Sequence, residues 1–225
     1  MESVMKDFRH AARVLARAPA FAITVVLILA IGIGASTAVF SLVNAALIRP
    51  LPFAESDRLV ALKEGAPDLG FGLSPFSPPD LLDVQRYQQS FDAIGAYRNV
   101  PFELSGSGDA ERVVGAKTTA NLFPLLGVDP VLGRPFAASE DLPGNDLALI
   151  SWELWQRRYQ GSTNVIGESI QLDRRPYTVI GVMPPSFAFP LRGPTANNQP
   201  ADVWVPMAFT AQEATERGSR FNHSV

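Results

Sequence analysis

Cysteine is absent from all 225 residues, which excludes disulfides, thiolate metal sites and cysteine nucleophiles and leaves the redox compartment open. Histidine is almost absent too. Its two copies, His10 and His223, stand at opposite ends of the chain, so the sequence offers no basis for a shared metal site or a histidine triad. No HExxH, GxSxG or phosphate-loop string occurs. Glu140-Asp141 sits in a Pro/Gly loop and reads as a solvated turn rather than a general acid/base pair. The sequence therefore assigns no catalytic, cofactor-binding or metal-binding residue. Charge is also scarce: charged residues make up 18% and the net charge is −3. An acidic balance without a concentrated basic face argues against nucleic acid as a partner.

What is present is one long uncharged run, Ala18 to Ile48, between Arg17 and Arg49. A bilayer core about 30 Å thick needs only about 20 helical residues to cross it. Between residues 22 and 40 the run holds ten Leu, Ile, Val or Phe. At about −0.3 to −0.6 kcal/mol each, their insertion free energy is on the order of −3 to −6 kcal/mol before the small residues are counted. No second run compares with it, so a single span is expected over 19–48. A cleaved signal peptide is the competing reading of the same run, with Val43-Asn44-Ala45 as its cleavage site, although an apolar region of that kind is usually about 7–15 residues.

Ahead of the run, 1–18 is expected to form a cytoplasmic amphipathic helix. Val4, Phe8, Ala11 and Leu15 share one side, and the basic face of Lys6, Arg9, Arg13 and Arg17 suits an anionic lipid surface. Those four cations, against Arg49, Arg58 and Lys63 beyond the run, favour a cytoplasmic N-terminus. Within the run, Ala30, Gly34 and Ala38 repeat every four residues and would let another helix approach closely in lipid. After it, Arg49, Pro50 and Pro52 form a stiff exit, because proline fixes φ.

The rest reads as an α+β extracytoplasmic domain over 49–209, followed by a polar tail over 210–225 with no apolar element to anchor it. Strands are expected at 58–63, 91–100, 102–104, 111–118, 147–151, 168–172, 177–183 and 203–205. Helices are expected at 80–89, 120–126 and 152–159, the last capped by Ser151. SGSGD (105–109) and DRRP (173–176) read as hairpin turns. Trp152, Trp155 and Tyr159 share helical spacing and read as core-facing.

Several segments together resemble a known family. GIGASTAVFSLVNAALIRPLPF (32–53) is similar to the first membrane helix and exit of MacB-type permeases of the FtsX-like ABC transporter superfamily. RLVAL, ERVVGAKTTANLFPLLGVDPVLGRPFAASED (111–141), ISWELWQRRYQGSTNVIGESIQLDRRPYTVIGVMPPSFAFP (150–190) and DVWVPM (202–207) are similar, in collinear order, to their extracytoplasmic core domain. The start of the chain resembles the large duplicated bacterial permeases of that group. One departure is local: the residue before Arg175 is commonly Gly or Asn in the family, and here Asp173-Arg174 must make the turn.

The resemblance implies a non-catalytic permease of the bacterial inner membrane. A separate ABC ATPase would hydrolyse ATP, and the permease would couple that to export or to movement of a periplasmic partner, alongside further permease helices or a second permease copy. Family permeases continue with three more helices and an ATPase-docking segment, so an incomplete domain and a truncated reading frame are expected here. The alternative is a single-span, membrane-anchored periplasmic binding module that has no ATPase.

Overall fold

The computed structural model describes residues 18–43, 53, 55–66, 71–106, 108–189 and 200–215. The chain divides into two compact units, 1–51 and 52–225. The first contains helix α1 (Pro19–Val43), which opens on a proline, as a helix start tolerates. The expected residues 44–48 of the span lie outside the described residues, as does the basic helix before it.

The second unit is built on a sheet that closes on itself. Its strands are β3 (Tyr97–Ser105), β4 (Glu111–Thr118), β5 (Leu132–Gly133), β6 (Leu147–Ile150), β7 (Ser169–Leu172), β8 (Arg175–Val182) and β9 (Val203–Pro206). They run in the order β5-β8-β6-β9-β4-β3-β7, and β7 also pairs with β8. Six strands thus form a ring, with β5 appended beside β7 on the same edge of β8. The β4–β9 and β6–β8 pairs are parallel and the others antiparallel.

Alternation assigns the two faces of this sheet. Ala148, Ile150, Val179, Val203 and Val205 join Phe102, Leu104 and Val113 in the interior cluster, which α4 (Trp152–Tyr159) completes with Leu154 and Trp155. Their neighbours Leu149, Ile180 and Trp204 face outward, yet they are buried as well, under Phe123, Phe136, Met183 and Phe187. Burial on both faces explains why β6, β9 and the second half of β8 (179–182) read as continuous apolar runs. Gly115 is required by close packing: a Cβ there would lie 2.3 Å from Cδ2 of Phe102.

Local chemistry sets most boundaries. Ser77 caps α2 (Pro78–Tyr87), accepting from the amide of Asp80, with proline in the first turn. The helix therefore starts two residues earlier than its apolar spacing indicates, because 78–79 read as a turn. Helix α3 (Leu122–Leu126) ends at Gly127, which is left-handed. Ser151 caps α4 by accepting from the amide of Leu154 at 3.0 Å. Strand β3 runs unbroken through Pro101, where a break was expected. At that point β4 is its only ladder partner, since β7 joins at Leu104 and Ser105, so the missing N–H costs no bond.

Two expectations are corrected, and one short element is added. Residues 58–63 do not form a strand: Ser56–Arg58 is a 3-10 turn, and the strand is β1 (Glu64–Ala66), paired with β2 (Phe71–Ser74) in a separate two-stranded sheet. Alternating propensity cannot supply a pairing edge, and Val60 stays 64% exposed. Residues 91–96 are not strand either; Gln88 bonds both the amide and the carbonyl of Phe91 and holds a loop there. The tail carries a short helix, α5 (Ala211–Thr215), closed by a capping box in which Glu213 accepts from the amide of Thr210 and Thr210 Oγ1 from the amide of Glu213.

The β7–β8 turn is made as the sequence demands, with Asp173 at φ 49° and Arg174 at φ 66°. Two successive left-handed residues define the hairpin turn that matches strand twist, and they favour glycine. Asp173 also bonds β3 through Glu103, by backbone at 3.0 Å and side chain at 2.8 Å. Arg174→Gly is therefore expected to stabilise the domain by about 0.5–1 kcal/mol through relief of left-handed strain. A lower urea midpoint for the variant would refute this account of the turn.

Candidate functional site

Helix α1 presents the membrane-facing candidates. It has no acidic residue in its first turn and no basic one in its last, and its mean hydropathy over Pro19–Ser41 is 2.4. None of its apolar window is buried. Ala30, Gly34 and Ala38 lie one above another along it, all exposed, and a Cβ added at Gly34 would meet nothing within 4 Å. Its polar Thr24 is satisfied within the helix by donating to the carbonyl of Ala20 at 2.9 Å. Lys6, Arg9, Arg13 and Arg17, together with Arg49, Pro50 and Pro52, lie outside the described residues.

Phe53, the first described residue after the exit, packs into the barrel unit. Its ring centroid lies 6.3 Å from that of Phe187 and 6.2 Å from that of Phe189. Phe187 and Phe189 stack on each other, and Phe187 leans on Trp204 at 5.4 Å. The end of the chain's apolar run is thus followed within a few residues by a side chain seated against the domain's core. Sequence reading singles out both RPLPF and FAFP without the signal that would join them, since nothing local pairs residues 134 positions apart.

The carboxylates of the loop after β5 are structural. Glu140 forms a two-pronged pair with Arg134, both contacts at 2.7 Å, and accepts from the amide of Ala137 at 2.8 Å. Arg134 first, and the Ala137 amide after it, hold the Glu140 carboxyl below its ordinary value against its burial. Asp141 ties two distant segments, accepting from the amides of Ala120 at 3.2 Å and Ala208 at 2.8 Å. So the pair is no solvated turn: the two side chains diverge and each fixes a loop. Trp155 is buried and donates to the carbonyl of Ser162, while Trp152 and Tyr159 are half-buried around it. Among the described residues no three His, Asp or Glu side chains converge to hold a metal.

The two ends of the closed sheet differ. At the α4 end, Glu111 is shared by Arg157 at 3.2 Å and Arg158 at 3.1 Å, with Asp202 3.7 Å from Arg157. Burial pushes the Asp202 carboxyl up, against the pull of Arg157. At the other end stand Arg98, Lys117 and Arg175, with Asp146 2.6 Å from Arg175. A hollow of about 240 Å³ beside β3 is lined by Pro101, Phe102, Glu103, Arg112 and Asp173. That is below the usual size of a small-molecule site.

Comparison with known families places this arrangement. Residues 22–224 match the family described as MacB-like periplasmic core domain. No curated protein matches the chain. Among solved structures, the periplasmic region of MacB from Actinobacillus actinomycetemcomitans is similar at 14% identity and a TM-score of 0.49, over 65% of this chain and 62% of that one. The extracellular domain of the noncanonic ABC-type transporter YknZ from Gram-positive bacteria is similar at 14% identity and a TM-score of 0.49, over 71% and 76%. A domain of a permease protein from Porphyromonas gingivalis is similar at 15% identity and a TM-score of 0.47, over 64% and 58%. The chain thus spans less than two thirds of the first of these structures.

Proposed function

This chain belongs to the MacB-like periplasmic core domain family of ABC transporter permeases, and on that premise we propose that it is the N-terminal, force-transmitting part of such a permease. In this reading α1 crosses the bacterial inner membrane with its N-terminus in the cytoplasm and holds the closed-sheet domain on the outer side. The chain hydrolyses nothing itself. A separate ATPase closes on ATP, and the permease carries that movement outward to drive export or to shift a periplasmic partner. The observation that carries the proposal is a 25-residue helix, unburied along its apolar window, in a chain whose residues 22–224 match this family.

Each candidate residue has a part. Lys6, Arg9, Arg13 and Arg17 lie against anionic headgroups. Ala30, Gly34 and Ala38 receive further permease helices or a second permease copy. Arg49, Pro50 and Pro52 restrict the joint, so that a tilt of the helix reaches the domain. Inserting a flexible Gly/Ser segment after Arg49 is expected to leave ATP turnover by the assembled transporter in place while abolishing the transport that depends on it. Transport at the undisturbed rate would refute the coupling. Gly34→Leu is expected to leave insertion intact and to deplete crosslinked helix pairs in membranes; an undiminished yield of pairs would remove the packing role.

A further inference from the structure

Three cations meet on the inward side of the closed sheet, at the end away from α4. Along β3, burial alternates residue by residue, which puts Arg98 on the same face as Val100, Phe102 and Leu104. Along β4, Lys117 shares the face of Val113 and Gly115. Arg98 and Lys117 are direct antiparallel partners, and Lys117 is flanked on its other side by Val205, an interior residue. Across the ring, Arg175 shares the inward face of β8 with Tyr177 and Val179 and acts on the charge of Lys117.

This placement is costly as it stands. Like charges directly opposite in a ladder destabilise it, and a half-buried ammonium without an acceptor forfeits hydration. The side-chain ammonium of Lys117 makes no hydrogen bond or ion pair with any described residue. Burial first, then Arg98 and Arg175, hold its ammonium below the ordinary lysine value against the pull of Glu213. The facing carboxylates are already engaged: Glu213 accepts from the amide of Thr210 at 2.9 Å and its hydroxyl at 2.8 Å, and Asp146 pairs with Arg175.

We propose that this mouth, lined by Arg98, Lys117 and Arg175, binds a phosphate-type oxyanion. A tetrahedral anion with several charged oxygens can accept from an ammonium and from guanidinium forks together, whereas a single carboxylate is used up by one fork. The same chemistry is offered by free phosphate and by the headgroup of an anionic lipid. The site stands on the barrel alone and does not depend on the transport reading.

The test uses the full chain in zwitterionic micelles, titrated with inorganic phosphate at constant ionic strength and with chloride as the control, and followed by amide NMR. Saturable shifts are expected at residues 97–99 and 116–118. Lys117→Gln is expected to weaken binding by about tenfold or more, the factor for losing one charge-assisted hydrogen bond. Glu213→Gln, which keeps the capping box, is expected to tighten it. Unmoved amides at Leu104 and Val179 certify the fold of each variant, and Lys117→Arg, which keeps the charge, is expected to retain binding. Phosphate shifts no larger than those from chloride, or Lys117→Gln binding as tightly as the parent, would overturn the proposal. Where binding is seen, competition by phosphatidic acid vesicles but not phosphatidylcholine vesicles assigns the lipid headgroup, and its absence assigns a soluble anion.

Discussion

Leu29→Arg is expected to stop most of the chain from inserting, so that a reporter fused after residue 60 is no longer exported. Leu29 lies near the middle of α1 and is 56% exposed, with no neighbour in the described chain to shield a charge. An arginine at the centre of a span costs about 2.5–3.5 kcal/mol, and the lost leucine removes about 0.3–0.6 kcal/mol more. The run as a whole supplies on the order of 3–6 kcal/mol before its small residues are counted. One substitution therefore removes half or more of the driving force. An arginine near a helix end could reach the interface, but position 29 is too deep for its side chain to do so fully. Undiminished export of the reporter would mean that the helix is no span, and the anchored reading would fall with it.

Trp204→Ala is expected to give the largest loss of stability in the second unit. Trp204 is completely buried, set edge-on to Phe123 with centroids 6.2 Å apart and tilted against Phe187 at 5.4 Å. Large-to-alanine changes of this kind cost about 3–5 kcal/mol, because the cavity collapses only in part. Against a typical domain stability of about 5–15 kcal/mol, that is about a fifth or more of the total. Thermal unfolding should shift down by roughly 6–20 °C for a domain of this size. Its indole N–H finds no partner among the described residues, so Trp204→Phe loses volume and no hydrogen bond. It should cost clearly less than the alanine variant, because less of the buried volume is lost. Equal shifts for the two variants would show that volume at this position is not what holds the outer cluster together. The same cluster receives Phe53, so the alanine variant also loosens the seat of the residue that follows the exit.

These two substitutions mark different degrees of legibility. The place of Leu29 follows from composition and length: an uninterrupted apolar run must be a helix in lipid, because only a helix satisfies its own backbone there. The cap of α4 was equally local. Ser151 acts where the sequence puts it, because a cap needs only residues within one turn. Trp204 was legible as part of a strand, and its alternation with Val203 and Val205 already placed it on the other face. That the other face is also buried was not legible, since the residues covering it come from 122–136 and 183–189.

The failures have the same origin. Residues 58–63 carry strand alternation and remain unpaired among the described residues, because a ladder needs an edge at the right place and register. Thr210 and Glu213 spell a capping box that a search for apolar periodicity passes over, since α5 is polar and has no buried residue. Glu140 and Asp141 are adjacent in sequence, yet their partners Arg134, Ala120 and Ala208 are set by how three loops return to one place.

Sequence by itself determined the membrane-length helix, the kinds of residue in its small stripe, the α4 cap, the left-handed β7–β8 turn and the family, because each is written in a contiguous stretch whose physics is local. Only the tertiary structure decided that the sheet closes into a ring, that Phe53 seats against Phe187 and Phe189, and that Arg98 and Lys117 lie side by side on its inward face with Arg175 of β8 acting on Lys117. Such encounters depend on which strand lies beside which and in what register, and a single residue's slip would turn every one of those side chains to the opposite face.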